Sequence, residues 1–143
     1  MPAYPETYLD GAGVAQPMPA PQWDGYGVTY QDAVLRSQMD TGPGKVRRRF
    51  SAVSRQVSTR WVFHTLQMYA FRAWYSQILK DGSLSFDWYY PVTNALVRAR
   101  FKTSPNYKPV GSPMTLKTAN HGAGEFQYLE GLWEVTAELE VLP

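Results

Sequence analysis

From Leu132 to Leu142 the chain alternates without a break. Trp133, Val135, Ala137, Leu139 and Val141 interleave with Glu134, Thr136, Glu138 and Glu140. A period of two sends these sets to opposite faces of a strand, so the segment requires a sheet with one buried face and one acidic face. Wound as a helix, the same residues would surround the axis with no apolar side. A strand this regular needs partners with matching alternation, and the rest of the sequence supplies them.

Leu84, Phe86 and Trp88 alternate with Ser83, Ser85 and Asp87, giving a strand stopped before Pro91. Thr93 and Asn94 form a turn, and Leu96–Lys102 follows as a strand with Val97, Ala99 and Phe101 inward and Arg98 and Arg100 outward. Lys45–Ala52 and Gln56–Phe63 read as two strands of a hairpin, Trp61 and Phe63 sharing a face. Between these strands the period changes to that of a helix. Met68, Phe71, Tyr75, Ile78 and Leu79 predict one α-helix over about 65–80. Thr65 stands where a cap is expected, and Lys80-Asp81-Gly82 supplies the stop. Phe71 and Tyr75 are assigned to the core, while Trp74 falls between the faces.

The ends of this pattern are less regular. More than half of the prolines and glycines lie in residues 1–44, with Pro17, Pro19 and Pro21 alternating with Met18 and Ala20. Such a segment favours an extended path. Tyr4, Tyr8, Trp23, Tyr26 and Tyr30 argue against a purely solvated tail, because disordered segments are poor in aromatics. The expectation is an extended Pro-rich N-terminal arm over 1–44, ordered by neighbours. Residues 45–143 then form a mainly β domain, a β-sandwich or rolled antiparallel sheet with one α-helix. Pro105, Pro109, Pro113, Gly111, Gly122 and Gly124 mark 103–130 as a long loop excursion, with a hairpin around Met114–Leu116 as an option.

With 143 residues the chain supports one core. It has no cysteine, which excludes disulfides, thiol catalysis and cysteine-based zinc sites. No charged n-region precedes an apolar run at the start, so a signal peptide is not expected. No stretch approaches the roughly 18 apolar residues of a membrane helix, so membrane insertion is not expected either.

Chemistry has little support. His64 and His121 are the only imidazoles, far apart in sequence, and His64 reads as a turn or capping residue before the helix. Gly122-Ala-Gly124 lacks the pattern of a phosphate loop. The even spacing of Glu134, Glu138 and Glu140 suits a strand face better than a carboxylate pair of a hydrolase. No catalytic residue, metal ligand or cofactor site is assigned, and an enzyme is not expected.

The functional signal is charge. Lys45, Arg47, Arg48 and Arg49 follow the turn Gly42-Pro43-Gly44, with Val46 and Phe50 interleaved. Alternation would place Lys45, Arg47 and Arg49 on one face and Val46, Arg48 and Phe50 on the other. With Arg98 and Arg100 these cations could follow a nucleic-acid backbone. The net charge is only +2, however, and from Glu125 onward the chain carries five glutamates and no Lys or Arg. That balance favours a second use, in which Lys45, Arg47 and Arg49 meet the Glu134/Glu138/Glu140 face of a neighbouring copy or an acidic partner.

The order of parts adds a likeness. Trp23-Asp-Gly-Tyr26 precedes a basic strand ending in Phe50. A strand then runs directly into the helix, Phe86-Asp-Trp88 comes shortly before Pro91, and the chain closes on Glu138-Leu-Glu-Val-Leu-Pro143. This resembles the small minor tail proteins of long-tailed bacteriophages, the lambda-like minor tail protein M group, counterparts of distal tail proteins. The likeness covers about residues 23–102 and 132–143. It implies a β-sandwich with one helix, a hexameric ring at the virion tail tip, and assembly in the bacterial host cytoplasm. The implied partners are the tail tube protein and the hub or baseplate proteins, with the tape-measure protein as a further option. Phe86 and Trp88 would be core residues, and the Lys45–Arg49 strand would lie near a ring surface. Trp23, Tyr26, Lys45, Arg47, Arg49, Arg98, Arg100, Glu134, Glu138 and Glu140 are the candidate interface residues. A tail-tube or terminator subunit is the alternative within the virion, and a nucleic-acid-binding module the alternative outside it.

Overall fold

The terminal alternation is one long strand at the centre of the molecule. A computed structural model describes residues 2–22, 25–30, 34–37, 42–48, 53–90, 93–122 and 124–143. In chain order they form β1 (Thr7–Leu9), β2 (Ala15–Pro17), β3 (Gly27–Tyr30), β4 (Val34–Ser37), β5 (Lys45–Arg48), β6 (Arg55–His64), helix α1 (Thr65–Ala73), β7 (Phe86–Tyr90), β8 (Ala95–Phe101), β9 (Asn106–Asn120) and β10 (Glu125–Val141). The fold is mainly β and antiparallel with one helix, as the alternation requires.

The main sheet runs β3-β6-β10-β8-β7. One edge of β10 pairs with β6 from Leu132↔His64 to Val141↔Arg55. The other edge is shared end to end. β9 takes Glu125 to Thr136 and β8 takes Leu139 to Val141, with Lys102 N donating to Glu138 O (2.9 Å) between them. The expected loop excursion over 103–130 is therefore two long paired strands, the first ending at Asn120 and the second beginning at Glu125, rather than a hairpin around Met114–Leu116. Between Glu130 and Leu132 the register slips, and residues 111–114 form the slack on β9. Gly111 holds φ +88° there, a left-handed conformation that suits glycine at a bulge. The slip changes the phase of the alternation. Tyr128 before it and Val135 after it are both buried although their numbers differ in parity.

Trp61, Phe63, Val135, Ala137, Leu139, Ala99, Phe101, Phe86 and Trp88 line the inner face, and Met68 and Phe71 of α1 close over them. Burying a large apolar side chain stabilises by roughly 1.5–3 kcal/mol. Phe71 meets Trp61, Phe63, Trp74 and Phe101 with ring centroids 5.2–6.2 Å apart. After Ala73 the helix widens into a π turn over Trp74–Ile78, and Leu79 N donates to Trp74 O (3.1 Å). Five α-helical residues would separate two side chains by about 140°. Here both Trp74 and Leu79 are buried, whereas Ile78, assigned by spacing to the apolar face, is exposed. Gly82, at φ +83°, ends the segment, and a Cβ there would meet the Tyr75 hydroxyl at 2.8 Å.

His64 occupies the cap position and donates its backbone N–H to Gln67 Oε1 (2.8 Å). Thr65, the residue expected to cap, is instead a buried junction. Its hydroxyl donates to Leu129 O (2.6 Å) and accepts from Gly131 N (3.1 Å) and Trp133 Nε1 (3.3 Å), tying the helix start to the slip in β10.

The Pro-rich segment does order on neighbours, and they belong to its own chain. Pro2 and Tyr4 bond the edge of β7 through Asp87. The Tyr4 ring stacks on Trp61 (6.3 Å) and meets Trp74 edge-on (5.6 Å), while its hydroxyl donates to Pro19 O (3.0 Å). Burial pushes the Tyr4 hydroxyl far above the ordinary tyrosine range. Gln22 N then donates to Arg60 O on β6 (2.7 Å), next to where β3 pairs. The segment thus bridges from β7 back to β6 and closes the roll. At the far end Arg55 lies over the rings of both Tyr30 on β3 (5.7 Å) and Tyr90 on β7 (5.5 Å), so the two edge strands share one cation. Hairpin β1–β2 reaches the tip of β9–β10. Asp10 accepts from Val14 N and Ala12 N (2.9 Å each); the Val14 bond first, then those of Gln16 and Ala12, hold its carboxyl below the usual range, and Asn120 N donates to Gly11 O.

Candidate assembly surface

The basic run forms β5, but its partner is β4 and not β6. Val34, Leu35, Arg36 and Ser37 pair with Arg48, Arg47, Val46 and Lys45. β6 is occupied on both sides by β3 and β10, which leaves β5 no place beside it. Among the described residues no other strand or helix packs on β4 or β5. Val46 is 64% exposed and Arg47 is exposed as well, so the described part of this strand has no buried face. Arg49, Phe50 and Trp23 lie outside the described residues. For Lys45 only the backbone is described.

Arg98 and Arg100 face outward from β8, as the alternation predicts. Their surroundings alter the expected use of the acidic strand. On the outer face of the sheet Arg100 sits directly across from Glu140, and its Nε and a terminal nitrogen both reach Oε2 at 2.7 Å. Those bonds, first, and a Ser54 hydrogen bond hold the Glu140 carboxyl below the ordinary glutamate range. Arg60 Nε reaches Glu134 Oε1 at 3.0 Å. Lys102 Nζ donates to Gln56 Oε1 (2.9 Å), and Arg98 stands opposite Asp87. The Glu134/Glu138/Glu140 face, expected to receive cations from a neighbouring copy, thus has two of its three carboxylates engaged within the chain. Glu138 alone of the three is exposed. The cause is register: β6 and β8 flank β10 and bring Arg60 and Arg100 beside it. The same pairing of Arg100 removes one cation from the surface a nucleic acid would use.

Tyr26, expected at an interface, packs against the core. Burial and the nearby Tyr90 push its hydroxyl up to about 12. The structure shows instead a surface that sequence reasoning missed. Beyond the last pair with β6, the β9–β10 hairpin continues alone, held by Tyr128, Ala119 and Leu66 in a small second core that Tyr8 covers. Its opposite face carries Leu116, Leu129 and Leu132, exposed by 60%, 50% and 40%. Leu116 and Leu129 are direct cross-strand partners. The even-numbered Leu132 was legible as outward from the terminal alternation, but the phase slip hid the company of Leu129.

Among the described residues no group of three or more His, Cys, Asp or Glu side chains is placed to hold a metal ion, and no helix is long and apolar enough to cross a membrane. Comparison with protein-family models, with curated proteins and with solved structures returned no match.

Proposed function

We propose that this chain is a structural, non-enzymatic subunit of a long-tailed bacteriophage tail, a distal-tail-type ring protein joining the tail tube to the central hub. One observation carries the reading. A roll closed by its own N-terminal arm carries two β-hairpins, one with an exposed leucine face and one, rich in cations, that no other strand or helix joins among the described residues. Exposed apolar patches of this kind mark surfaces for association. The mainly β fold with one helix, and the burial of Phe86 and Trp88, agree with what the resemblance implies. In this reading the copies form a closed ring in the virion tail tip, six in the resembling family, assembled in the host cytoplasm. The leucine face meets the tube or hub.

Electron microscopy of particles made without this protein tests the proposal. The expected result is tails that lack a tip or fail to join tube to hub. Intact tips with a defect at the head-proximal end would move the chain to a terminator role, and unaltered particles would remove it from the tail.

A further inference from the structure

The last part of β9 presents an open edge, since among the described residues no strand other than β10 pairs with it. Two hydrogen bonds fix which of its main-chain groups face away from β10. Asn120 N donates outward to Gly11 O (3.1 Å), so Asn120 and Glu125 form a non-hydrogen-bonded pair. The alternation of an antiparallel ladder makes Thr118↔Gln127 and Leu116↔Leu129 pairs of the same type. Leu129 agrees, because its carbonyl turns away from β9 to accept from the Thr65 hydroxyl (2.6 Å). The N–H and C=O of Leu116 and Thr118 therefore point out of the sheet, and among the described residues nothing bonds them there.

Such an edge templates pairing with a further strand, and proteins blunt it with proline, charge and bulges. The first part of β9 is blunted in this way by Lys108, Pro109 and the slack around Gly111. At the far end the β1–β2 turn takes Asn120. Between them, from Thr115 to Thr118, stand one charge, Lys117, and the exposed Leu116.

We infer that this edge pairs antiparallel with the same edge of a second copy, about a two-fold axis at Leu116. The outward groups have to meet each other, which leaves few registers. An axis at Lys117 sets two like charges face to face. An axis at Thr118 calls on Asn120, which is already bonded to Gly11. An axis before Leu116 runs into the slack at 111–114. With the axis at Leu116, the two copies of that residue exchange both main-chain bonds and Lys117 meets Thr115. Leu116 and Leu129 of each copy then join in one apolar cluster. This fit of one patch to itself is what an isologous contact requires, and it favours a second copy over a foreign strand. The leucine faces come to lie side by side, so the doubled face stays open to a tube or hub. The pair closes on two copies and carries no ring, so it stands or falls apart from the ring reading.

The chain has no cysteine, so a single thiol can be placed cleanly. Leu116→Cys in the full chain sets a thiol against its own counterpart at the axis, within disulfide reach. Lys108→Cys, on an exposed residue of the blunted part, is the control. Under mild oxidation the disulfide dimer should form about tenfold faster at 116 than at 108. Thr118→Pro removes an N–H that faces outward and makes no bond to β10. Added to Leu116→Cys, it should bring the rate down to that of the control without moving the urea midpoint. Sedimentation of the parent chain should show a two-copy species at low concentration. Leu116→Lys, which opposes two cations at the axis, should turn that species into a folded monomer. Equal oxidation rates at 116 and 108 would overturn the pairing, and so would a parent chain that stays monomeric at every concentration.

Discussion

Two hairpins of this molecule, β9–β10 and β4–β5, meet opposite fates. β9–β10 is embedded: β6 and β8 flank its base, the helix start is tied into it through Thr65, and hairpin β1–β2 covers its tip. β4–β5 pairs through a four-residue ladder that no other strand or helix joins among the described residues. The contrast separates a hairpin built into the main sheet from one built outside it. Charge does not make the distinction, because both regions are charged. What differs is whether the register of the sheet brings an opposite charge alongside, as it does for Glu140 and Arg100 and does not for Arg47.

The largest effect is expected at the arm that closes the roll. Tyr4→Ala removes a ring lying against Trp61 and Trp74, and should cost about 3 kcal/mol in urea unfolding. A loss below about 1 kcal/mol would mean that the arm is an accessory rather than a wall. Next comes the Thr65 junction. Thr65→Val keeps the shape but leaves the Gly131 N–H and the Leu129 carbonyl without their partner, for an expected loss of about 2 kcal/mol.

A smaller effect is expected from Glu140. Its carboxyl is held below the ordinary range in the folded state by Arg100 and Ser54. The stabilisation is therefore present above the unfolded carboxylate range and disappears as pH falls through the folded value. At neutral pH Glu140→Gln should lose no more than about 1 kcal/mol, as for other solvent-facing pairs, and the variant should match the parent in strong acid. A difference that persists in acid would contradict the pairing. Smallest of all for stability is the exposed face of β5. Val46→Ser should change the unfolding free energy by less than about 0.5 kcal/mol. A larger loss would show that Val46 is covered within the chain.

Most of the central sheet was legible because its residues repeat with a period of two. The inward sets on β6, β8 and β10 and the outward Arg98 and Arg100 could be read directly, and so could the helix. Strand β9 escaped because Pro109, Gly111 and Pro113 interrupt it and Pro105 directly precedes it. It runs along the outside of β10, where an edge strand tolerates proline and a bulge absorbs four residues. The arm's closing role had no periodic signal, only the presence of Tyr4 and Tyr8 among prolines. For β5, proximity in sequence suggested β6 as the partner, whereas β3 and β10 already fill both of its edges. Of the candidate site, the cationic strand and the outward arginines were visible. The neutralisation of the acidic face depends on which strands flank β10, which no local pattern encodes.

In the proposed ring, the roll folds within one chain and other copies complete its exposed surfaces. Sedimentation velocity of the full chain over a wide concentration range, in low salt and with purified tail tube or hub protein added, tests it most directly. The expected result is a folded subunit that passes to a discrete closed oligomer, most simply six copies, and loses it on Arg47→Glu without unfolding. A folded monomer at every concentration, unchanged by either added protein, would contradict it.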